Sequence, residues 1–277
     1  MLLNLFLVLI LMLANWSVEA IKWKLAVQKI QPVSFSKSLK AIFSGVSFSI
    51  TTPNRVGEYL GRILYMEEGK RLKAISLTIV CSISQLLVTL FMGGLGLLLL
   101  MKKIAVSEMV SIIWIRVLLS GVFIVFVILT VFYFRLSWLV KWIDRIPASS
   151  RFAWLINTIE EFNATLLLKL LSLSLLRFFI FIIQYYLLFR LFGVDILWWQ
   201  GFWSVSICFL ILAIIPSIAL ADLGLRGQVT LKLLGLFSSN FLGISFTTAT
   251  IWFINLVVPS IIGSLLIVSI KIFKNKK

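Results

Sequence analysis

Along this chain, continuous hydrophobic runs of membrane-crossing length are separated by short charged clusters. Four runs stand out, roughly Ala74–Met101, Met109–Phe134, Phe162–Leu191 and Phe241–Ile270. Each is longer than the ~18–20 apolar residues that a helix needs to cross a hydrocarbon core. A further run, Leu2 to Val18, opens the chain. Val18-Glu19-Ala20 imitates a signal-peptide cleavage site, but no positive region precedes the run, and Lys22, Lys24 and Lys29 follow it. The pattern therefore predicts a retained membrane helix. The runs are continuously apolar instead of alternating in short segments, which excludes a membrane β-barrel.

Two apolar stretches behave differently. Ala41–Ile50 reaches only about half the hydrocarbon thickness before Thr51-Thr52-Pro53-Asn54-Arg55-Val56-Gly57-Glu58-Tyr59-Leu60-Gly61-Arg62, and the chain then resumes as Val56–Met66. Gly201–Leu220 is long enough to cross, yet it runs into a second polar knot, Pro216 to Gln228. Each knot combines a helix-breaking Pro, Gly, an acid and an Arg: Pro53, Gly57, Glu58 and Arg62 in the first; Pro216, Asp222, Gly224, Arg226 and Gly227 in the second. Irregular backbone and charge are costly in hydrocarbon unless they line a cavity or pair with each other. The pattern predicts two broken hairpins that enter the membrane and return. They lie at corresponding points of two halves of one membrane domain spanning 1–277: residues 1–134 with the knot at 51–62, and 135–277 with the knot at 216–228. The expected fold is an all-α polytopic membrane protein. It has about five full transmembrane helices plus two re-entrant hairpins, arranged as an inverted repeat around a transporter-like site.

Composition agrees with this picture: 61% of residues are hydrophobic, 13% are charged and the mean hydropathy is +1.10. A soluble domain is nearer half apolar and about a quarter charged. The net charge of +16 comes from 26 basic and 10 acidic residues. Because the bases cluster beside the spans, they point to orientation and anionic lipid headgroups; membrane lipids, not nucleic acid, are the expected partners. If both hairpins re-enter, the basic groups of Lys22–Lys73, Arg135–Arg151 and Lys271–Lys277 share one face. The opposite face keeps Lys102, Lys103, Arg190, Arg226 and Lys232. The positive-inside rule then places the C-terminus in the cytoplasm. A short crossing at Val229–Phe237 would leave the tail on the same side.

Chemistry is sparse. The chain has no His, and Cys81 and Cys208 sit in apolar spans without metal-like spacing, so no metal or other cofactor is expected. Arg55, Glu58 and Arg62 share a helix face, as do Asp222 and Arg226, four residues apart; Gly224 and Gly227 would let a neighbouring helix approach closely. Arg177 lies near the middle of its span, where an unpaired Arg is expensive, so Glu58 or Asp222 is its expected partner. These residues read either as internal ion pairs that neutralise the hairpins or as contacts to a headgroup, with Arg forking a phosphate. The helix starting after Pro53 would offer its N-terminal dipole to the same phosphate. The stripe Thr78, Cys81/Ser82, Gln85 and Thr89 reads as interhelical hydrogen bonding.

At the two knots the chain resembles the membrane domain of bacterial lysylphosphatidylglycerol synthases, flippase-like integral membrane proteins that also occur alone. The family's Pro-Gly-Arg-x-Gly-Glu-like motif appears as Pro53-Asn54-Arg55-Val56-Gly57-Glu58, with Asn54 in place of Gly. Its Pro-Gly-Gly-x-Gly-x-x-Glu-like motif corresponds to Ala221-Asp222-Leu223-Gly224-Leu225-Arg226-Gly227, with Gly227 where the Glu is expected and Asp222 offering a carboxylate nearby. The resemblance spans nearly the whole chain. It implies a multi-pass protein of the bacterial cytoplasmic (inner) membrane that translocates a lipid with an anionic or zwitterionic headgroup. Arg55, Glu58, Arg62, Arg177, Asp222 and Arg226 would then be substrate contacts, and Pro53, Gly57, Pro216, Gly224 and Gly227 the hairpin breaks. The synthases' soluble aminoacyl-transferase domain has no counterpart here, so no enzymatic activity is expected. Two alternatives stand beside this reading. One is a membrane-embedded lipid or isoprenoid-phosphate transferase, which the lack of His and the scattered acids oppose. The other is a non-transporting accessory subunit of an envelope enzyme.

Overall fold

The apolar runs fold as helices because a helix satisfies its own backbone hydrogen bonds where water is absent. The computed structural model describes residues 2–53, 56–135 and 163–274. In chain order the helices are α1 (Leu2–Val27), α2 (Phe35–Ser49), α3 (Gly57–Ile63), α4 (Arg71–Val106), α5 (Ile112–Phe134), α6 (Ala164–Leu191), α7 (Trp198–Ile214), α8 (Ala219–Leu234) and α9 (Phe241–Trp252). A π-helical turn, Phe253–Val257, carries α9 into α10 (Val258–Lys274). No strand occurs among the described residues. Among the described residues, five helical stretches are long and apolar enough to cross a membrane, which makes this a polytopic membrane protein. Helix α5 exposes Ile113, Trp114, Val117 and Phe123, as expected where hydrocarbon is the solvent.

The two hairpins are present, with boundaries that differ from the sequence expectation. Helix α2 starts at Phe35, where the Ser34 hydroxyl accepts from the Lys37 N–H, so the first leg has 15 residues and not only the apolar piece from Ala41. Its break is a tight turn: the Thr51 and Thr52 hydroxyls donate back to the Phe48 carbonyl, and the Val56 N–H bonds the Pro53 carbonyl. The second break is confined to residues 215–218. Pro216 forces Ile215 out of the helix into an extended conformation (φ −92°, ψ 113°). Helix α8 then runs uninterrupted through Gly224 and Gly227, and a Cβ at either would meet nothing within 4 Å. These two glycines neither break the chain nor admit a neighbouring helix, contrary to expectation. The first part of the Val229–Phe237 segment is the end of α8 and not a separate helix. Helix α1 also outlasts its apolar run and ends at Val27. Asn54, Arg55 and most of the Arg135–Arg151 segment lie outside the described residues.

Packing relates the halves. Helices α1 and α6 run antiparallel, since Val8, Asn15 and Lys22 meet Gln184, Arg177 and Ser174 in turn. Helices α4 and α7 are also antiparallel: Gly93 faces Ser206 and Leu210, and Gly96 faces Trp203 and Ile207. The first leg of each hairpin lies on the long helix of the opposite half, α7 on α4 and α2 on α10. A glycine sits at each crossing, Gly93 in one case and Gly263, against the Phe43 backbone, in the other. This exchange agrees with an inverted repeat.

Within the first hairpin, α2 and α3 touch backbone to backbone at Gly45 and Gly61. Gly61→Val should push the two legs apart and lower the detergent-solution melting temperature or abolish folded protein. Gly224→Ala, on an open helix face, should be neutral or stabilising by up to about 1 kcal/mol. Thermal melts of the two purified variants check both outcomes.

Candidate functional site

Within helix α1, Asn15, Glu19 and Lys22 are spaced so that they share one face, turned toward α6. Glu19 is 4% exposed and is held by cations from three elements. Its Oε2 accepts from Lys22 Nζ at 2.8 Å and Arg177 Nη1 at 2.5 Å; its Oε1 accepts from Arg62 Nη2 at 3.0 Å. A lone buried carboxylate would cost several kcal/mol, and this density of partners offsets it. The surroundings extend the network. Arg177 Nε donates to Asn15 at 2.7 Å, and the guanidinium lies 5.5 Å from the Trp16 ring centroid. Lys22 also donates to Ser174, which is hydrogen-bonded to Ser84 at 2.8 Å. Arg62 Nη2 reaches a second carboxylate, Glu58, at 3.0 Å.

The second hairpin carries its own pair, Asp222 and Arg226, 3.0 Å apart. Arg226 also donates to the Tyr185 hydroxyl at 3.3 Å, and its guanidinium lies near the Phe209 ring. Glu58–Arg62 and Asp222–Arg226 are the same device: an acid followed four residues later by Arg, early in the second helix of a hairpin. Both pairs line a single cavity of about 450 Å³, together with Glu19, Lys22 and Arg177. Residues of both hairpin breaks contribute as well, Ile215, Ser217 and Ile218 beside Ser49 at the end of α2. The cavity continues into an apolar wall that includes Phe181 and Leu212.

Glu58, Arg62, Arg177, Asp222 and Arg226 thus converge on one space. The partner of Arg177 is Glu19, however, and neither Glu58 nor Asp222. The antiparallel α1–α6 pair sets Glu19 directly across from Arg177, while Glu58 and Asp222 are taken by the arginines one turn along their own helices. Arg55 lies outside the described residues. At the helix after Pro53, where an anion site is expected, one amide is already engaged. Helix α3 has only seven residues, and the Gly57 N–H already donates to Thr52 Oγ1 at 2.8 Å. The polar stripe of α4 serves two purposes. Thr78 accepts from the Trp23 indole at 3.1 Å, whereas Ser82, Gln85 and Thr89 line the cavity.

Several lining residues escaped the sequence reading. Glu19 and Lys22 were hidden in what resembled a cleavage site, although their helical spacing from Asn15 was a usable signal. Trp252 and Asn255 come from the π-helical region, a feature without a sequence signature that often marks functional sites. The Trp252 indole donates to the Ala219 carbonyl at 3.1 Å and so ties the end of α9 to the start of α8. Among the described residues no group of His, Cys, Asp and Glu is arranged to hold a metal ion.

Glu19→Gln would leave Arg62 with Glu58 and would take from Lys22 and Arg177 the carboxylate that pairs them. Stranding buried charge in this way should destabilise the protein by about 3–5 kcal/mol. Glu58→Gln should cost less, because its carboxylate is 20% exposed and Arg62 keeps Glu19. Melting of both variants in the same detergent tests the order.

No curated protein and no solved structure matches the chain. The family described as the lysylphosphatidylglycerol synthase TM region matches residues 1–267, nearly the full length. This multi-pass helical protein, with two hairpins facing a charged cavity, belongs to the lysylphosphatidylglycerol synthase TM region family.

Proposed function

We propose that this protein moves a phospholipid between the leaflets of the bacterial cytoplasmic membrane, with the headgroup in the cavity and the acyl chains in the bilayer. The observation that carries this reading is the convergence of both hairpin ion pairs on one space, with Arg177 and Glu19 beside them. Membership of a family associated with lipid handling supports it. A polar chamber adjoining Phe181, Leu212, Ile215 and Ile218 suits an amphipathic ligand, polar at one end and apolar at the other. The matched hairpins suit alternating access, in which each gates the shared site from its own side.

The protein acts as a translocator without catalysis. Each cavity carboxylate is engaged by at least one cation, so none stands free as a general base. On this reading its partners are membrane lipids, and its C-terminus faces the cytoplasm, which the distribution of bases supports.

Two experiments test this proposal. In proteoliposomes carrying tail-labelled phospholipids, the wild type should equilibrate label between leaflets. Asp222→Asn/Arg226→Gln removes the second pair without stranding a charge and should slow the exchange about tenfold or more, a loss of ~1.4 kcal/mol in barrier lowering. Wild-type protein no faster than empty liposomes would refute the proposal. On a background free of Cys81 and Cys208, an impermeant thiol reagent applied to intact cells should label Lys103→Cys but not Lys277→Cys. Labelling of the tail would reverse the orientation.

A further inference from the structure

Building on the translocator reading, we propose that the cavity end of α8 is the gate of the cavity. It swings on the break at residues 215–218 and is held shut by the Trp252 indole on the Ala219 carbonyl. The two hairpins carry matched ion pairs, yet they are fastened to the rest of the molecule differently.

The first hairpin is locked. Its legs touch backbone to backbone, with Gly61 against Gly45 and Gly57 against the Phe48 carbonyl. Gly263 of α10 seats on the Phe43 backbone of its first leg. Its Arg62 is 3% exposed and is bound outside the hairpin, to Glu19 of α1. Moving α3 would therefore part a buried ion pair, which is costly.

The second leg of the other hairpin has no such fastening. Among the described residues, α8 packs chiefly on α7 and α9. A Cβ at Gly224 or Gly227 would meet nothing, so no helix is seated closely there. Asp222 and Arg226 pair within the helix, and their ion pair would travel with it. Anchorage is concentrated at the far end of α8, where Leu233 and Leu234 are buried and Thr230 shares a hydrogen bond with Cys208 of α7. At the cavity end, two side-chain hydrogen bonds reach beyond the hairpin among the described residues. Trp252 Nε1 donates to the Ala219 carbonyl at 3.1 Å, and Arg226 Nη1 donates to the Tyr185 hydroxyl at 3.3 Å.

The break supplies the hinge. Helix α7 stops at Ile214, and Ile218, which opens α8, has no side-chain cap. Pro216 has no N–H with which to continue the helical ladder. Ile214, Ile215 and Ile218 are exposed, so little packing resists rotation at this point. Because Ile218, Ala219, Asp222 and Arg226 line the cavity, withdrawing this end of α8 would open it.

Spin-label distances in nanodiscs test the assignment on a background of Cys81→Ala and Cys208→Ser. Labels on Leu60→Cys and Ala221→Cys, both exposed positions, report α8 against the first hairpin. Labels on Leu60→Cys and Ile261→Cys report the first hairpin against α10. The first pair should show a main short distance and a minor longer one. Trp252→Phe, which keeps a ring and removes the donor, should raise the ratio of long to short about three- to tenfold, the worth of one hydrogen bond. Tyr185→Phe, which removes the acceptor of Arg226, should shift the ratio the same way. The second pair should keep one distance in all three proteins. An unchanged distribution of the first pair in Trp252→Phe overturns the gate; if that variant does not fold, an unchanged distribution in Tyr185→Phe does so. An equal redistribution of the second pair also overturns it, because the first hairpin would then be no more fixed than α8. Redistribution without leaflet exchange defeats the translocator reading alone. Leaflet exchange with the first distance fixed in every variant defeats the gate alone.

Discussion

Glu19 is a carboxylate that a membrane helix can bury only if cations come to it. One is supplied by its own helix through Lys22; the other two, Arg62 and Arg177, arrive from α3 and α6. The attraction is strong because little water screens it, and for the same reason none of the four groups could be buried alone. The first hairpin, the N-terminal helix and the first long helix of the second half are therefore tied at one point. With Glu58 as the outer partner of Arg62, the network grades from fully enclosed at Lys22 to partly open at Glu58. That gradient gives the cavity its charged end.

Around this point the backbone itself sets the spacing. Hydrocarbon gives helices no hydrophobic reason to associate with one another, so close van der Waals approach matters, and small residues make it available. Gly45 against Gly61 closes the first hairpin; Gly93 and Gly263 seat each hairpin on the long helix of the other half. Each half is thereby held against the hairpin of the other. The bond from Trp252 to the Ala219 carbonyl adds a direct link between the π-helical region and α8.

The cavity unites these features. Two ion pairs of identical spacing, one on each hairpin, look onto it, and their surroundings differ: Arg62 is held by two carboxylates, whereas Arg226 is held by Asp222 and the Tyr185 hydroxyl. The two hairpins thus share the spacing of their ion pairs and differ in what surrounds them.

Much of this was legible in the chain. Run lengths and the positions of the charges were enough to show a polytopic helical membrane protein, because a bilayer of fixed thickness imposes a length and a polarity on every span. The two knots announced the hairpins, since Pro and paired charges have few other uses within apolar sequence, and the resemblance at the knots led to the right family. Gly224 and Gly227 show where local reading failed: a glycine permits a break or a close approach, but only the neighbours determine whether either occurs, and here there are none. The acid that holds Arg177 was beyond local reading altogether. Glu19 lies far away in sequence, and an ion pair forms where antiparallel packing brings opposite charges within a few ångströms, not where a motif supplies the nearest suitable residue. Sequence by itself determined which segments are membrane helices and which residues are too polar to face lipid. Tertiary structure decided which of those residues satisfy one another, because Coulomb attraction and hydrogen bonding depend on distances that only the packed helices set.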